Sequence, residues 1–157
     1  KACHLFYLKN FYKDNLLAKG ELEIEGVTID LGAIDIPIFM QAGEKDHIAP
    51  FNSVYRSARL FGGDVRYMLA GSGHIAGVVN PPAKQKYHYR TNPALPETVE
   101  DWIREAKHHQ HSWWPYWIEW LDEQSSGTVP ARIPGDAGLP VIEDAPGSYV
   151  LVKSDDA

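Results

Sequence analysis

Residues 36–46 read IPIFMQAGEKD. The segment 36–42 is a short apolar run that ends at Gly43, which is typical of a strand buried on both faces in a parallel sheet. Pro37 falls near the start of the run, where the loss of one backbone N–H group is tolerated. The polar residues that follow form a loop beyond the C-terminal end of this strand, and that loop carries Asp46.

An amphipathic helix and a second strand follow this loop. The helix is predicted from apolar residues at positions i, i+3, i+4 and i+7, namely Phe51, Val54, Tyr55 and Ala58. It begins near Pro50 and is expected to stop at Gly62-Gly63. Alternating apolar residues over 65–69 predict a strand that runs into the loop 71–74 (GSGH). The order strand, helix, strand predicts an α/β fold in which parallel strands are flanked by helices.

The two polar loops place a carboxylate and an imidazole at the same edge of the predicted sheet. Functional groups of open α/β sheets gather beyond the carboxyl ends of the strands, and Asp46 and His74 both occupy such positions. An Asp carboxylate there could accept the imidazole N–H, fix its tautomer and stabilise the imidazolium. The other ring nitrogen would then be free to deprotonate a nucleophile. Asp46 and His74 are therefore the candidate acid–base pair.

The order of these two residues predicts a nucleophile elsewhere. In α/β-hydrolases the triad runs nucleophile, acid, His, so the nucleophile should lie upstream of Asp46. No G-x-S-x-G or G-x-C-x-G elbow occurs in the sequence. The strained elbow requires small residues two positions to either side of the nucleophile, but these are Ala70 and His74 for Ser72. For Cys3 they are Lys1 and Leu5. We therefore expect no nucleophile within this chain.

The remaining segments predict a first domain over residues 1–124 and an irregular tail over residues 125–157 packed on it. Helical spacing predicts a helix over residues 5–16 that stops at Gly20, and alternation over residues 22–31 predicts a hairpin. The proline-rich stretch 77–97 is interpreted as irregular. Two further helices are expected, with Thr98 and Ser112 as their N-caps and with His108 and His109 near the end of the first one. From Ser125 onward, Gly, Pro and Asp dominate.

Bulk composition excludes several functional classes. The chain has 157 residues and a net charge of −6, with no basic cluster of the density that nucleic-acid binders show. No apolar run approaches the ~18 residues of a membrane span, so we expect no transmembrane helix. The sequence starts at Lys1 rather than at Met, and we expect that an N-terminal part is missing. A single cysteine, Cys3, excludes an intrachain disulfide.

Four other histidines invite functional interpretations. His47 lies beside Asp46 and could either brace the loop or contact substrate, and bracing is favoured. His108, His109 and His111 could suggest a metal site, but adjacent residues on a helix point in different directions, so no metal is expected. No cofactor is expected either. The five tryptophans could line a hydrophobic channel or simply form core.

Several segments resemble one enzyme family. Residues 43–50 (GEKDHIAP) and 71–82 (GSGHIAGVVNPP) are similar to the segments around the catalytic Asp and His of polyhydroxyalkanoate synthases. Residues 112–117 (SWWPYW) resemble the Trp-rich segment of the class I enzymes. Residues 6–10 (FYLKN) and 145–150 (APGSYV) also match that class. The resemblance covers almost the whole chain.

This resemblance implies a specific activity for the full-length protein. The family polymerises (R)-3-hydroxyacyl-CoA thioesters into a storage polyester and releases CoA. An upstream Cys carries the growing chain, His74 would activate that Cys, and Asp46 would be its acid partner and help to activate the substrate hydroxyl. The resemblance also implies the C-terminal part of an α/β-hydrolase fold with an incomplete sheet, a homodimer at full length, and a cytoplasmic location on polyester granules. This chain alone is expected to be inactive.

Two other functions stay open at the level of the sequence. A serine esterase, lipase or polyester depolymerase of the same fold would share the Asp and His but carry Ser at the elbow. A truncated, inactive remnant could bind a granule surface or a partner through its aromatic face. Retention of both Asp46 and His74 argues against the remnant.

Overall fold

The structure is a computed structural model that describes residues 1–133, 135 and 138–154. It divides into two compact units, Lys1–Gln124 and Ser125–Ala157. In chain order, the α- and π-helices and the strands of the first unit are α1 (Ala2–Tyr7), a π-helical segment (Leu8–Lys13), α2 (Leu16–Lys19), β1 (Glu23–Ile24), β2 (Val27–Thr28), β3 (Ile38–Gly43), α3 (Phe51–Ala58), β4 (Val65–Ala70), β5 (His88–Thr91), α4 (Val99–Glu105), β6 (Lys107–Gln110) and α5 (Trp114–Glu123). Two short 3-10 helices, Leu31–Ala33 and Pro82–Lys84, lie between these elements. In the described part of the chain, no helix has the length and apolar character to span a membrane.

Strands β3 and β4 pair in parallel, as the strand–helix–strand pattern predicts. Their register runs from Ile38 opposite Val65 to Gly43 opposite Ala70, and α3 connects them. The prediction that β3 is buried on both faces is wrong for its first four residues, which are only half-buried. Because β3 is an edge strand of this sheet, one of its sides has no neighbouring strand to cover it.

The sheet is mixed, which corrects the expectation of parallel strands alone. Its order is β3-β4-β5-β6, and both β5 and β6 pair antiparallel with their neighbours. The irregular interpretation of residues 77–97 is therefore wrong at β5, and His108 and His109 lie in β6 rather than on a helix. Neither strand is an apolar run, so their extended conformation follows from the pairing of β5 with β4 and of β6 with β5, and not from a local pattern.

The N-terminal segment departs from the single helix predicted over residues 5–16. It consists of α1, the π-helical segment and the short α2, with Asn15 in the left-handed region at a φ of 49° between the last two. Gly20 ends α2 at a φ of 68°, which confirms it as the stop signal. Strands β1 and β2 form the predicted hairpin.

Strand β4 alternates its side chains between two apolar clusters, one on each face of the sheet. Tyr67 and Leu69 pack on one face with Trp102 of α4. Met68 and Ala70 pack on the other face with Trp113, which immediately precedes α5. This period of two is the expected consequence of a strand covered on both faces. Because apolar clusters cover both of its faces, β4 is the best buried strand of the sheet, and it provides a rigid base for the loop that follows it.

Two helix boundaries were predicted from side-chain caps. The hydroxyl of Thr98 accepts a hydrogen bond from the N–H of Asp101 and caps α4, as expected. Ser112 lies two residues before α5 and accepts from the N–H of Trp114 at 3.1 Å. By contrast, α3 ends at Ala58, before the predicted stop at Gly62-Gly63.

Candidate active site

The loops after β3 and β4 bring Asp46 and His74 into contact. The Nδ1 atom of His74 lies 2.8 Å from the Oδ2 atom of Asp46, although the two residues are 28 positions apart in the sequence. Both loops leave the same edge of the sheet because β3 and β4 are parallel neighbours. The catalytic roles of Asp46 and His74 remain predictions.

The two loops are joined along their backbones as well as through the side chains. The N–H of Lys45 donates to the carbonyl oxygen of Ser72 at 3.1 Å, and the N–H of Glu44 donates to that of Ala70 at 2.7 Å. A β-carbon on Gly43 would lie 2.9 Å from the Ser72 oxygen, closer than real β-carbons approach a backbone oxygen. Gly43 is therefore required for the close approach of the loops.

The carboxylate of Asp46 is fixed by three hydrogen bonds. Its Oδ1 atom accepts from the N–H groups of Ile48 and Ala49, each at 2.9 Å, while Oδ2 faces His74. The Ala49 N–H and then the His74 contact lower the pKa of Asp46 to about 2. Only 8% of the Asp46 side chain is exposed. The group is therefore ionised and held in one orientation at neutral pH.

The imidazole of His74 has one nitrogen engaged and the other available. Because Asp46 is ionised and can only accept, Nδ1 must carry the proton that lies between them. Within the described residues, no hydrogen bond engages Nε2, and 48% of the side chain is exposed. An unprotonated Nε2 facing solvent can accept a proton from an incoming group. This is the arrangement that a general base requires.

The segment that follows His74 is a compact turn. The N–H of Gly77 donates to the carbonyl of Gly73 at 2.8 Å, and the N–H of Val79 donates to that of Ile75 at 2.8 Å. A β-carbon on Gly77 would lie 2.7 Å from the Gly73 oxygen, so this position also excludes larger residues. Gly77 thus has a steric reason to be a glycine, whereas a β-carbon on Gly73 would make only an ordinary contact, with the Lys45 oxygen at 3.5 Å.

The structure places the remaining candidates away from such an arrangement. His47 is exposed, and its side chain makes no hydrogen bond within the described part of the chain, so the two roles suggested for it stay predictions. Cys3 is exposed in α1. His109 bonds to the Thr91 hydroxyl at 2.8 Å, and burial lowers its pKa. His111 Nδ1 lies 3.0 Å from the carbonyl of Gln85.

Among the residues that the structure describes, no group of three or more His, Cys, Asp or Glu side chains is arranged to hold a metal ion.

The structure contains a second carboxylate–histidine pair, which the sequence did not predict. The Nε2 atom of His88, at the start of β5, lies 3.1 Å from the Oε2 atom of Glu44. The ring of His88 stacks on that of His108 with centroids 4.7 Å apart. Glu44 could be assigned to the polar loop after β3, but His88 could not be placed while β5 was interpreted as irregular. His88 can be placed beside Glu44 only when the antiparallel pairing of β5 with β4 is known.

Known proteins resemble this chain over nearly its whole length. It is 51% identical to a poly(3-hydroxyalkanoate) polymerase of Methylorubrum extorquens over 98% of the chain and 26% of that relative. It is 48% identical to poly(3-hydroxyalkanoate) polymerase subunit PhaC of Rhizobium meliloti, over 98% of the chain and 25% of the relative. The corresponding subunit of Cupriavidus necator is 42% identical over 96% of the chain and 26% of its own length.

The chain thus spans about a quarter of the length of the curated relatives that it matches. No protein-family model matches it.

Proposed function

We propose that this chain, which belongs to the poly(3-hydroxyalkanoate) polymerase family, supplies the acid and base of the catalytic centre of a full-length polymerase. In this proposal, His74 is the general base and Asp46 is its acid partner. The observation that carries the proposal is the 2.8 Å contact between them, with the Nε2 atom of His74 left open. The identity to named polymerases supports the assignment of the reaction.

The chemistry proposed for the pair is thioester exchange. A cysteine from the upstream part of the full-length protein gives its thiol proton to Nε2 of His74. The thiolate attacks the carbonyl carbon of a 3-hydroxyacyl-CoA, the carbon–sulfur bond to CoA breaks, and the imidazolium returns the proton to the departing thiolate. Asp46, ionised throughout, stabilises the imidazolium between these two steps. In the elongation step, the 3-hydroxyl of one acyl group, activated by His74 with the help of Asp46, attacks the carbonyl carbon of a second acyl thioester. The carbon–sulfur bond of that thioester breaks, and the departing thiolate takes up the proton.

The fold assignment that accompanies this function is the C-terminal part of an α/β-hydrolase domain. Strand β3 lies at an edge of the sheet, and the residues along it are mostly half-buried. An edge strand of this kind is a template for further pairing. The proposal is that upstream strands, outside this sequence, continue the sheet on the β3 side and bring the nucleophile elbow next to His74.

The proposed partners follow from the same family membership. The substrate is an (R)-3-hydroxyacyl-CoA, and the product is a polyester that remains attached to the enzyme as it grows. At full length the protein is proposed to form a homodimer and to act in the cytoplasm on the surface of polyester granules. Residues 1–124 are proposed to be the C-terminal part of the catalytic domain, and residues 125–157 are proposed to be an irregular tail.

The direct test replaces His74 with Ala in the full-length polymerase and measures CoA release. We expect turnover to fall by about 10²-fold or more, because a positioned general base typically contributes that much. His88→Gln is the matched control, since His88 is also bonded to a carboxylate but is not part of the proposed pair. Retention of more than about a tenth of the activity in His74→Ala would overturn the proposal.

The coding sequence upstream of Lys1 provides an independent test. A G-x-C-x-G elbow, about one domain's length before Asp46, is the expected result. A G-x-S-x-G elbow would instead identify a hydrolase of the same fold, and no elbow would identify an inactive remnant. The 157-residue chain alone is expected to release no CoA, because it lacks the nucleophile.

A further inference from the structure

Two adjacent tryptophans donate hydrogen bonds to two adjacent carbonyls of the turn that follows His74. The indole N–H of Trp113 donates to the carbonyl oxygen of Gly77 at 2.8 Å. The indole N–H of Trp114 donates to that of Val78 at 3.0 Å. The donors and acceptors are 36 residues apart in each case. The pairing is thus a tertiary contact between the α5 region and the histidine loop.

The turn needs such a contact because burial does little to hold it. Ile75 is 74% exposed and Val79 is 61% exposed, so the apolar side chains of the turn contribute little packing. Its own backbone bonds close the turn but do not fix it relative to the sheet. Its orientation therefore depends on hydrogen bonds from outside the turn, and the two indole bonds are among them, beside the bond from the Lys45 N–H to the Ser72 oxygen.

The donors are held on a rigid base that also leads to Asp46. Trp113 is buried and stacks on Phe39 of β3, with ring centroids 6.1 Å apart and an interplanar angle of 19°. Strand β3 ends at Gly43, and its loop carries Asp46. The Trp113 ring thus touches the strand that positions the acid, while its N–H group holds the loop that positions the base.

A third hydrogen bond extends the same connection. The hydroxyl of Ser112 donates to the carbonyl oxygen of Asn80 and accepts from the N–H of Trp114. Three consecutive residues, 112–114, therefore bond to the backbone between Gly77 and Asn80. Ring packing alone would not require both indole nitrogens to point at this backbone.

We propose that Trp113 and Trp114 are positioning residues that keep His74 in register with Asp46 through the carbonyls of Gly77 and Val78. The proposal rests on the proposed function of His74. Without the two N–H groups the turn shifts relative to the sheet, and the imidazole leaves the orientation in which Nδ1 faces Asp46. Displacements of about 1 Å at a catalytic group can cost about 10²-fold in rate.

The test uses Trp113→Phe, Trp114→Phe and the double variant in the full-length polymerase. Phenylalanine keeps an aromatic ring but removes the N–H group. We expect kcat of the double variant to fall roughly tenfold to a hundredfold, with KM changed by less than about twofold, because substrate contacts are not removed. Trp120→Phe is the matched control, since its ring also packs on Phe39, at 5.5 Å, but its indole makes no hydrogen bond within the described residues.

Hydrogen–deuterium exchange supplies a readout that does not depend on activity. A peptide covering residues 67–84, obtained with pepsin under acid quench, contains the whole turn. We expect faster amide exchange in this peptide for the double variant and unchanged exchange for Trp120→Phe. If Trp113→Phe does not fold, 3-benzothienylalanine at position 113 replaces the N–H group by sulfur at nearly constant ring shape and is expected to give the same result.

Unchanged exchange in peptide 67–84, or unchanged kcat in the double variant, would overturn the positioning role. Loss of kcat together with faster exchange throughout the protein would also overturn it, because that result describes general destabilisation. Failure of the proposed function is distinguished by His74→Ala, which would then retain turnover whatever the tryptophan variants do.

Discussion

The backbone oxygen of Ser72 lies so close to Gly43 that a β-carbon on the glycine would come within 2.9 Å of it. The same β-carbon would lie 3.2 Å from the Cβ atom of Asp46. Gly43 thus stands where the loop of the acid and the loop of the base meet. The distance between these loops determines whether Asp46 and His74 can form their hydrogen bond.

Gly43→Ala is expected to separate the two loops. The added methyl group meets backbone atoms that cannot rotate away, so we expect a loss of about 1–3 kcal/mol in the free energy of unfolding. CoA release by the full-length enzyme should fall about tenfold or more, since the acid–base contact is strained. Gly73→Ala is the control, because its nearest neighbour, the Lys45 oxygen, is at an ordinary 3.5 Å. Equal effects of the two substitutions would contradict the steric argument.

Asp46→Asn is expected to reduce turnover by about 10²- to 10⁴-fold with little change in the fold. An amide can donate its own N–H to Nδ1 and thereby favour the wrong imidazole tautomer. CoA release under saturating substrate measures the effect. Glu44→Gln, which alters the carboxylate bonded to His88, should change the rate by less than about threefold. A mild effect of Asp46→Asn would remove Asp46 from the proposed pair.

The stability supplied by the Asp46 carboxylate should depend on pH in a defined window. Its pKa is lowered from 3.8 to about 2 in the folded chain, chiefly by the Ala49 N–H and by His74. A lowered pKa means that the ionised form is favoured by folding, so the contribution is complete above pH 3.8 and is lost as the pH falls through about 2.

Comparison of wild type and Asp46→Asn in unfolding experiments from pH 5 to pH 2 tests this window. We expect the difference between the urea midpoints of the two proteins to be constant above pH 3.8 and to shrink below it. A difference that stays the same down to pH 2 would show that the carboxylate is not selectively stabilised in its ionised form.

Trp102 is expected to be the most sensitive core position. It is fully buried, and its ring meets the Tyr67 ring edge-on, with centroids 4.9 Å apart. Trp102→Ala should lower the free energy of unfolding by about 3–5 kcal/mol, because it leaves a large cavity under β4. Trp117→Ala, at a partly exposed position, should cost clearly less. Urea unfolding of the full-length protein measures both, and equal costs would contradict the assignment of the core.

Much of the site could be predicted because its information is local. The apolar run of β3, the helical spacing over α3 and the alternation in β4 each reflect burial along one element. Asp46 and His74 follow directly after such strands. Parallel pairing then brings the two loops to the same edge, so their approach could be expected without knowing any other part of the fold.

The far side of the sheet could not be predicted in this way. Strand β5 reads HYRT and β6 reads KHHQ, and neither has an apolar pattern that identifies a strand. Their extended conformation comes from hydrogen bonding to β4 and to each other. The pair formed by Glu44 and His88 was missed for the same reason, since it exists only when β5 pairs next to β4.

The sequence by itself determined the strand–helix–strand unit, the two loop residues and the family, because each is encoded in a contiguous stretch of side chains. Only the tertiary structure decided the mixed sheet, the close approach of the Ser72 oxygen that excludes a β-carbon at Gly43, and the hydrogen bonds from Trp113 and Trp114 to the histidine loop. These depend on atoms distant in sequence that meet after the chain has folded. A hydrogen bond between an indole and a backbone carbonyl 36 residues away leaves no periodic trace in the sequence.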